Sequence, residues 1–290
     1  MKAIKNVLVT GANGQLGNEF KIIGGQFPAY RFFFAGKEDL AIEDEQNVAN
    51  FFAANDIDCC INCAAYTAVD KAEAEQEQAL AINATAVGNL AAVCKKTNAL
   101  FIHFSTDYVF NGKASLPYKE TDATDPVNFY GHTKLRGEEA AMQQNEHSIV
   151  IRTSWVYSRF GKNFVKTMLR LMNEKESIGV VADQYGCPTY AADLAGAVMH
   201  IISHGKFTPG IYHYCNEGVI SWHEFASAIQ SISRSSCRVN AINTAAYPTP
   251  AARPHYSALD TSKIKQSFAV QVKPWKQSLQ QCITLLQSAE

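Results

Sequence analysis

Tyr130-Gly131-His132-Thr133-Lys134 places a phenol and an ammonium four residues apart. On a helix that separation is one turn, so both side chains share a face. A lysine beside a phenol favours the phenolate and draws the tyrosine pKa from about 10 towards working pH. Such a tyrosine can hand a proton to a carbonyl oxygen while hydride arrives at the carbon. The pair alone is common by chance, most instances being surface residues. A second donor to the same oxygen is offered one strand upstream, where Phe101-Ile102-His103-Phe104-Ser105-Thr106-Asp107-Tyr108-Val109-Phe110 runs off the end of an apolar run. Ser105 or Thr106 supplies that hydroxyl; hydroxyls that merely cap a strand end are the alternative.

A hydride needs a carrier, and the N-terminus supplies a place for one. Val7-Leu8-Val9-Thr10-Gly11-Ala12-Asn13-Gly14-Gln15-Leu16-Gly17 reads as strand, glycine turn and helix start. Gly11 permits a tight turn, Gly14 lets the chain approach a pyrophosphate, and Gly17 lets the helix pack closely on the strand. The diphosphate would rest on free N–H groups at the helix N-terminus. The spacing is GxxGxxG rather than the commoner GxGxxG of dinucleotide sites, and a bare structural turn is the competing reading. The second strand should end beside the adenosine ribose, near Ala35-Gly36-Lys37-Glu38-Asp39-Leu40. An acid there binds the 2′-OH of NAD, whereas a base accommodates the 2′-phosphate of NADP. Lys37, nearest the strand, favours NADPH; Glu38 and Asp39 leave NADH open. Asn62-Cys63-Ala64-Ala65-Tyr66-Thr67 ends the third strand, with small residues that let backbone approach a cofactor.

The elements that would position these groups are legible in the same chain. Lys5 to Thr10, Tyr30 to Ala35, Ile57 to Ala64, Leu100 to Ser105 and Ser148 to Thr153 read as strands. Glu45 to Asn55 and a long alanine-rich stretch from about Glu73 to Lys96 read as helices. Continuous apolar strands alternating with helices imply an α/β fold with a doubly wound parallel sheet of Rossmann type, and ligands at its C-terminal strand ends. Residues 1–155 form the expected dinucleotide-binding domain. Residues 156–290 form a smaller substrate lobe, interleaved with the first, with helices from about Lys162 to Met172, Tyr190 to Ile202 and Trp275 to Gln287. Ser221-Trp222-His223-Glu224 has capping-box spacing for another. Tyr247 to Pro254 reads as an ordered loop.

Composition excludes several classes. Lys plus Arg is 26 against 27 for Asp plus Glu, a net charge of -1 that offers no footprint for nucleic acid or an anionic membrane. No apolar run is long enough to span a bilayer. The start, Met1 to Asn6, has no signal-peptide pattern, which points to a cytoplasmic protein. Eight cysteines on a chain of 290 residues do not make a disulfide framework. Cys59, Cys60 and Cys63 fall within one buried strand whose side chains alternate faces, with no second ligand pair to complete a metal site. His200 and His204 lack a third ligand and read as surface or capping residues.

Taken in order, these segments resemble the extended short-chain dehydrogenase/reductase superfamily and, within it, the dTDP-4-dehydrorhamnose reductase family. The likeness extends over Gly14-Gln15-Leu16-Gly17, Ala64 to Glu73, Ser105 to Phe110, Tyr130 to Leu135, Arg152 to Tyr157, Asp183 to Thr189, and Arg253-Pro254 with Ser257, Leu259 and Asp260. The resemblance implies a catalytic trio of Thr106, Tyr130 and Lys134. It implies a nicotinamide cofactor lined by Gly14, Gln15, Leu16, Asp39, Leu40, Ala64, Ala65, Tyr66, Thr67 and Phe104, and a nucleotide-sugar substrate touched by Thr106, Asp107, Trp155 and Arg253. Trp155 as a core aromatic and Arg253 as a surface salt bridge are the alternatives. The implied reaction is NAD(P)H-dependent reduction of the C4 ketone of dTDP-4-dehydro-L-rhamnose. A reductase of 6-deoxy-talose stereochemistry, an epimerase or dehydratase, and a non-catalytic regulatory subunit share the fold. Some relatives hold Mg2+ between glutamates at a homodimer interface. Glu19 matches one such glutamate, but Tyr190-Ala191-Ala192-Asp193 has none where another is expected, so no metal ligand is assigned.

Overall fold

The structure is a computed structural model that describes residues 4–288; the expectation for the chain start falls partly on residues 1–3, outside them. Its first half alternates strand and helix: β1 (Asn6–Thr10), α1 (Gln15–Gly24), β2 (Arg31–Ala35), α2 (Glu45–Asn55) and β3 (Cys59–Asn62). There follow α3 (Val69–Ala72), α4 (Gln76–Leu80), a π-helical turn (Ala81–Thr85), α5 (Ala86–Thr97), β4 (Leu100–Thr106), α6 (Phe129–Gln144) and β5 (Ile149–Thr153). The second half comprises β6 (Val156–Tyr157), α7 (Phe164–Glu174), β7 (Ser177–Val181), β8 (Tyr185–Gly186), β9 (Thr189–Tyr190), α8 (Ala191–His204) and β10 (Gly210–His213). It closes with β11 (Ile220–Ser221), α9 (Trp222–Ser233), β12 (Arg238–Ile242), α10 (Ser262–Phe268) and α11 (Trp275–Gln287).

Six parallel strands form the central sheet in the order β10-β5-β4-β3-β1-β2. Because the strands are buried on both faces, alternate residues enter separate cores. Val7, Val9, Cys59, Ile61, Ile102 and Ile151 pack with Leu194 and Val198 of α8 on one face; Leu8, Cys60, Phe101 and Val150 pack with Val48, Phe52 and Leu90 on the other. Cys59 and Cys60 therefore part company as strand alternation requires, and all eight cysteines are free thiols. The chain steps from β1 outward to β2 and then back across to β3, which makes the C-terminal ends of β1 and β3 the switch point of the sheet. An open α/β sheet holds its ligand there. Residues 210–213 return from the second half to the sheet edge beside β5.

The long helix expected from Glu73 to Lys96 runs continuously from Gln76 to Thr97 and widens into a π-helical turn at Ala81–Thr85. Asn83 in the π turn is the cause: its Oδ1 accepts from Tyr66 N at 2.9 Å, and its Nδ2 donates to Tyr66 O at 3.0 Å and to Thr133 Oγ1 at 3.0 Å. The widened turn aims this amide at the loop after β3, and such bulges gather at functional sites. The expected capping box is formed, Ser221 and Glu224 each accepting from the other's backbone N–H. His200 and His204 are satisfied locally, on the carbonyls of Phe268 and His200.

Candidate active site

A cleft of about 730 Å³ opens at the switch point, lined among others by Gly11, Gly14, Gln15, Leu16, Asn62, Ala64, Phe104, Tyr130 and Lys134. Its floor is a backbone cradle. Gly11 has φ +60°, and a Cβ there would lie 2.5 Å from Ala64 N; at Gly17 a Cβ would lie 2.5 Å from Gly11 O. Neither position admits a side chain, so Gly17 serves helix packing and does not itself line the cleft. Gly14 caps α1 with no side-chain partner, leaving the first N–H groups of that helix facing the cleft. This cradle fits the diphosphate of a dinucleotide.

At the adenosine end Gly36, Lys37, Glu38 and Leu40 line the wall. Asp39 does not: its carboxylate accepts from Gly36 N at 2.8 Å and closes its own turn. Ala64, Ala65 and Thr67 line the far wall, whereas Tyr66 turns out to Glu75, 2.5 Å from its hydroxyl, and only its backbone is held, by Asn83. Gly161 and Lys162 close over the loop, with Asn163 Nδ2 donating to Gln15 Oε1 at 2.9 Å. Lys162 and Leu194 were not foreseen as site residues, since nothing local in the sequence ties them to Gln15.

At the reacting end α6 starts where Asn128 Oδ1 accepts from Gly131 N at 2.8 Å and Glu73 Oε1 accepts from Phe129 N at 2.9 Å. This sets Tyr130 and Lys134 one turn apart on the cleft side. Lys134 Nζ donates to Phe104 O at 2.7 Å and lies 3.4 Å from His103 Nε2. Burial lowers its pKa to about 8, against the pull of Glu138. Burial also pushes the Tyr130 phenol up, Asp107 adds to that, and the Thr106 hydroxyl partly opposes it. The direction is the opposite of the expected lowering: desolvation wins, and Tyr130 stands as a neutral phenol with a proton to give. Thr106 Oγ1 donates to Asp107 Oδ1 at 3.0 Å, and the Asp107 carboxyl is pushed up to about 7, chiefly by burial. Ser105 Oγ, on the cleft wall, has no hydrogen-bond partner among the described residues.

Trp155 and Arg253 lie off the nicotinamide cleft. Trp155 holds φ +47° and stacks on Trp222 at 3.5 Å between ring centres; the next residue, Val156, is a cleft residue. Arg253 pairs with Asp70 at 2.9 Å and stands beside Tyr108, which meets the Tyr130 ring edge to face at 6.0 Å. Asn128 Nδ2 donates to Ala252 O at 2.8 Å and so ties the arginine's loop to the start of α6. Of the residues weighed for magnesium, Glu19 is buried with Oε1 accepting from Ser158 at 2.6 Å, and Asp193 is engaged by Lys273, Asn216 and Ser278. Among the described residues no group of three or more His, Cys, Asp or Glu could hold a metal ion.

A doubly wound sheet, a glycine-cradled dinucleotide cleft at its switch point and a Tyr-Lys pair beside it define a nicotinamide-dependent oxidoreductase of the short-chain dehydrogenase/reductase type. Residues 5–288 match the family model described as RmlD substrate binding domain. The dTDP-4-dehydrorhamnose reductase of Burkholderia thailandensis is 40% identical over 296 residues, spanning 96% of this chain and 97% of that protein. The crystal structure of a dTDP-4-dehydrorhamnose reductase from Clostridium acetobutylicum superposes with a TM-score of 0.93 at 38% identity, covering 97% of this chain and 99% of that one. One from Bacillus anthracis, in complex with NADP, gives 0.93 at 36% identity with the same coverage. The chain belongs to the RmlD substrate binding domain family.

Proposed function

We propose that this protein reduces the C4 ketone of dTDP-4-dehydro-L-rhamnose to dTDP-L-rhamnose with NADPH. The observation that carries the reading is Tyr130 and Lys134, one helical turn apart, lining the reacting end of a dinucleotide cleft, in a chain 40% identical to a dTDP-4-dehydrorhamnose reductase over 96% of its length. The nicotinamide, when bound, supplies the hydride. Tyr130 Oη gives its proton to the developing C4 alkoxide, and the Thr106 hydroxyl turns from Asp107 Oδ1 to donate a second hydrogen bond to that oxygen. Lys134, immobilised on Phe104 O, holds the cofactor ribose and restores the phenol proton. Asp107 and Trp155 contact the sugar, and Arg253 exchanges Asp70 for the nucleotide diphosphate. Lys37 on the cleft wall, with Asp39 closed into its own turn, favours NADPH over NADH.

The first half is the cofactor domain and the second mainly the nucleotide-sugar lobe. Eight free thiols suit a reducing cytoplasm, and no helix among the described residues is long and apolar enough to cross a membrane. Tyr130→Phe tests the reading. Turnover should fall by about 10² to 10⁴, the usual worth of a general acid, with NADPH affinity retained. Near-normal turnover would remove Tyr130 from the chemistry.

A further inference from the structure

The segment between β6 and α7 is laid along the first turns of α1. Ser158 Oγ donates to Glu19 Oε1 at 2.6 Å, and Asn163 Nδ2 donates to Gln15 Oε1 at 2.9 Å. Gln15 and Glu19 are one helical turn apart, so the segment is held at both ends to one face of that helix. The Asn163 amide is fixed in turn. Its Oδ1 accepts from the main-chain N–H of Lys166 at 3.1 Å, which leaves Nδ2 for Gln15 and for Ser158 O at 2.6 Å. Ser158 Oγ also accepts from Phe160 N at 3.0 Å. Gly161 completes the fit: it holds φ +64°, and a Cβ there would stand 3.0 Å from Gln15 Cγ. A larger residue is strained at that position and presses the segment off α1.

Lys162 stands between Gly161 and Asn163, the two residues that meet Gln15. It is exposed, lines the cleft with Gly14, Gln15 and Leu16, and has no hydrogen bond or ion pair among the described residues. Arg159, the other cation of the segment, lies over the Phe160 ring at 4.8 Å and is not a cleft residue. No acid stands in the first turn of α1 to neutralise the lysine, and Glu19, one turn on, is buried under Ser158. The carboxylates of the cleft wall, Glu38 and Glu43, follow β2 at the adenosine end with Lys37. The cradle therefore combines free main-chain N–H groups with an ammonium, which together suit a doubly charged anion. We infer that Lys162 is a ligand of the cofactor diphosphate, held over the glycine cradle by residues 158–163. The inference rests on the reading of the cleft as an NAD(P)H site, and adds the side chain that neutralises the group common to both cofactors. Lys37 has the other duty, at the 2′-phosphate that NADPH alone carries. A lysine suits the diphosphate, since its ammonium is a point charge that follows phosphate oxygens without a fixed fork geometry.

Equilibrium binding without turnover decides it. NADPH and NADH affinities are read by fluorescence titration in wild type, Lys162→Met and Lys162→Arg, with dTDP measured in parallel by calorimetry. Lys162 has no partner in the fold, so the variants stay folded. Lys162→Met should weaken NADPH and NADH each by roughly tenfold, the worth of one charge-assisted contact. It should leave their ratio and the dTDP affinity unchanged, and flatten the fall of dinucleotide affinity with salt. Lys162→Arg should recover most of the loss. Unchanged affinity for both dinucleotides would overturn the inference. So would a loss confined to NADPH, which would give the cation to the 2′-phosphate, or one confined to dTDP, which would give it to the substrate diphosphate. A wild-type protein that binds neither dinucleotide would overturn it through the cleft reading beneath it. Absence of ketone reduction by a protein that shows the expected pattern would refute the reductase reading and leave Lys162 a diphosphate ligand.

Discussion

Glu138→Gln separates the support of the site from its chemistry. Arg152 Nε and Nη2 donate to the two oxygens of Glu138 at 2.8 and 2.7 Å, and the side chains are 3% and 2% exposed. The pair pins α6, one turn beyond Lys134, to β5. Glutamine keeps the shape and removes the charge, leaving a buried guanidinium without an anion. Its remaining neighbours do not replace one: the Phe110 ring lies 5.1 Å below it, and His213, 3.5 Å away, is neutral, its pKa lowered to about 3 by burial and by Arg152. Breaking such a pair from one side costs about 3–5 kcal/mol. For a chain of this size that corresponds to a fall in Tm on the order of 10 °C. Urea denaturation monitored by tryptophan fluorescence, with a thermal scan alongside, reads both. Arg152→Met in the same chain should restore most of the loss, because it removes the stranded cation. A Glu138→Gln protein within about 1 kcal/mol of wild type would refute the reasoning, since the pair would then be no more than a surface bridge in worth.

Three further outcomes are expected. Gly17→Ala sets a Cβ 2.5 Å from Gly11 O and 2.6 Å from Ala12 Cα, both main chain, so the phosphate loop must shift. NADPH affinity by fluorescence titration should drop at least about tenfold, with about 1–3 kcal/mol of stability lost; unchanged affinity would dismiss the cradle. Lys37→Glu should cost NADPH about tenfold or more in affinity relative to NADH, and an unaltered ratio would move the 2′-phosphate contact elsewhere. Asp107 has its folded pKa raised from 3.8 to about 7, so the folded state binds the extra proton between those values and stability falls as pH rises through that window. Asp107→Asn should flatten that part of the stability profile and gain about 1–3 kcal/mol at pH 8. A variant no more stable than wild type at pH 8 would contradict it.

What could be read from sequence was what is encoded locally. The glycine turn, α2 and α11 with their bounds, the Ser221 capping box and the one-turn spacing of Tyr130 and Lys134 all follow from neighbours within a few residues. The opposite fates of Cys59 and Cys60 follow from strand alternation alone. What escaped depends on partners far along the chain. The π turn inside the long helix is one such feature, because the Asn83 amide there is claimed by Tyr66 and Thr133, 17 and 50 residues away. Asn163 reaches Gln15 across 148 residues and brings Lys162 to the cleft with it. The phenol–lysine pair was placed on one face by spacing, yet the direction of the tyrosine's shift turned on burial and Asp107, which spacing does not encode. Asp39 and Tyr66 sit in the right segments, but short-range partners turn their side chains away.

The central claim meets its most direct test in a reaction on enzymatically prepared dTDP-4-dehydro-L-rhamnose, with NADPH oxidation followed at 340 nm and the C4 configuration of the product read by NMR. The account predicts one NADPH consumed per sugar and dTDP-L-rhamnose as the product. No oxidation by a protein that binds both ligands, or a product of the opposite C4 configuration, would contradict it.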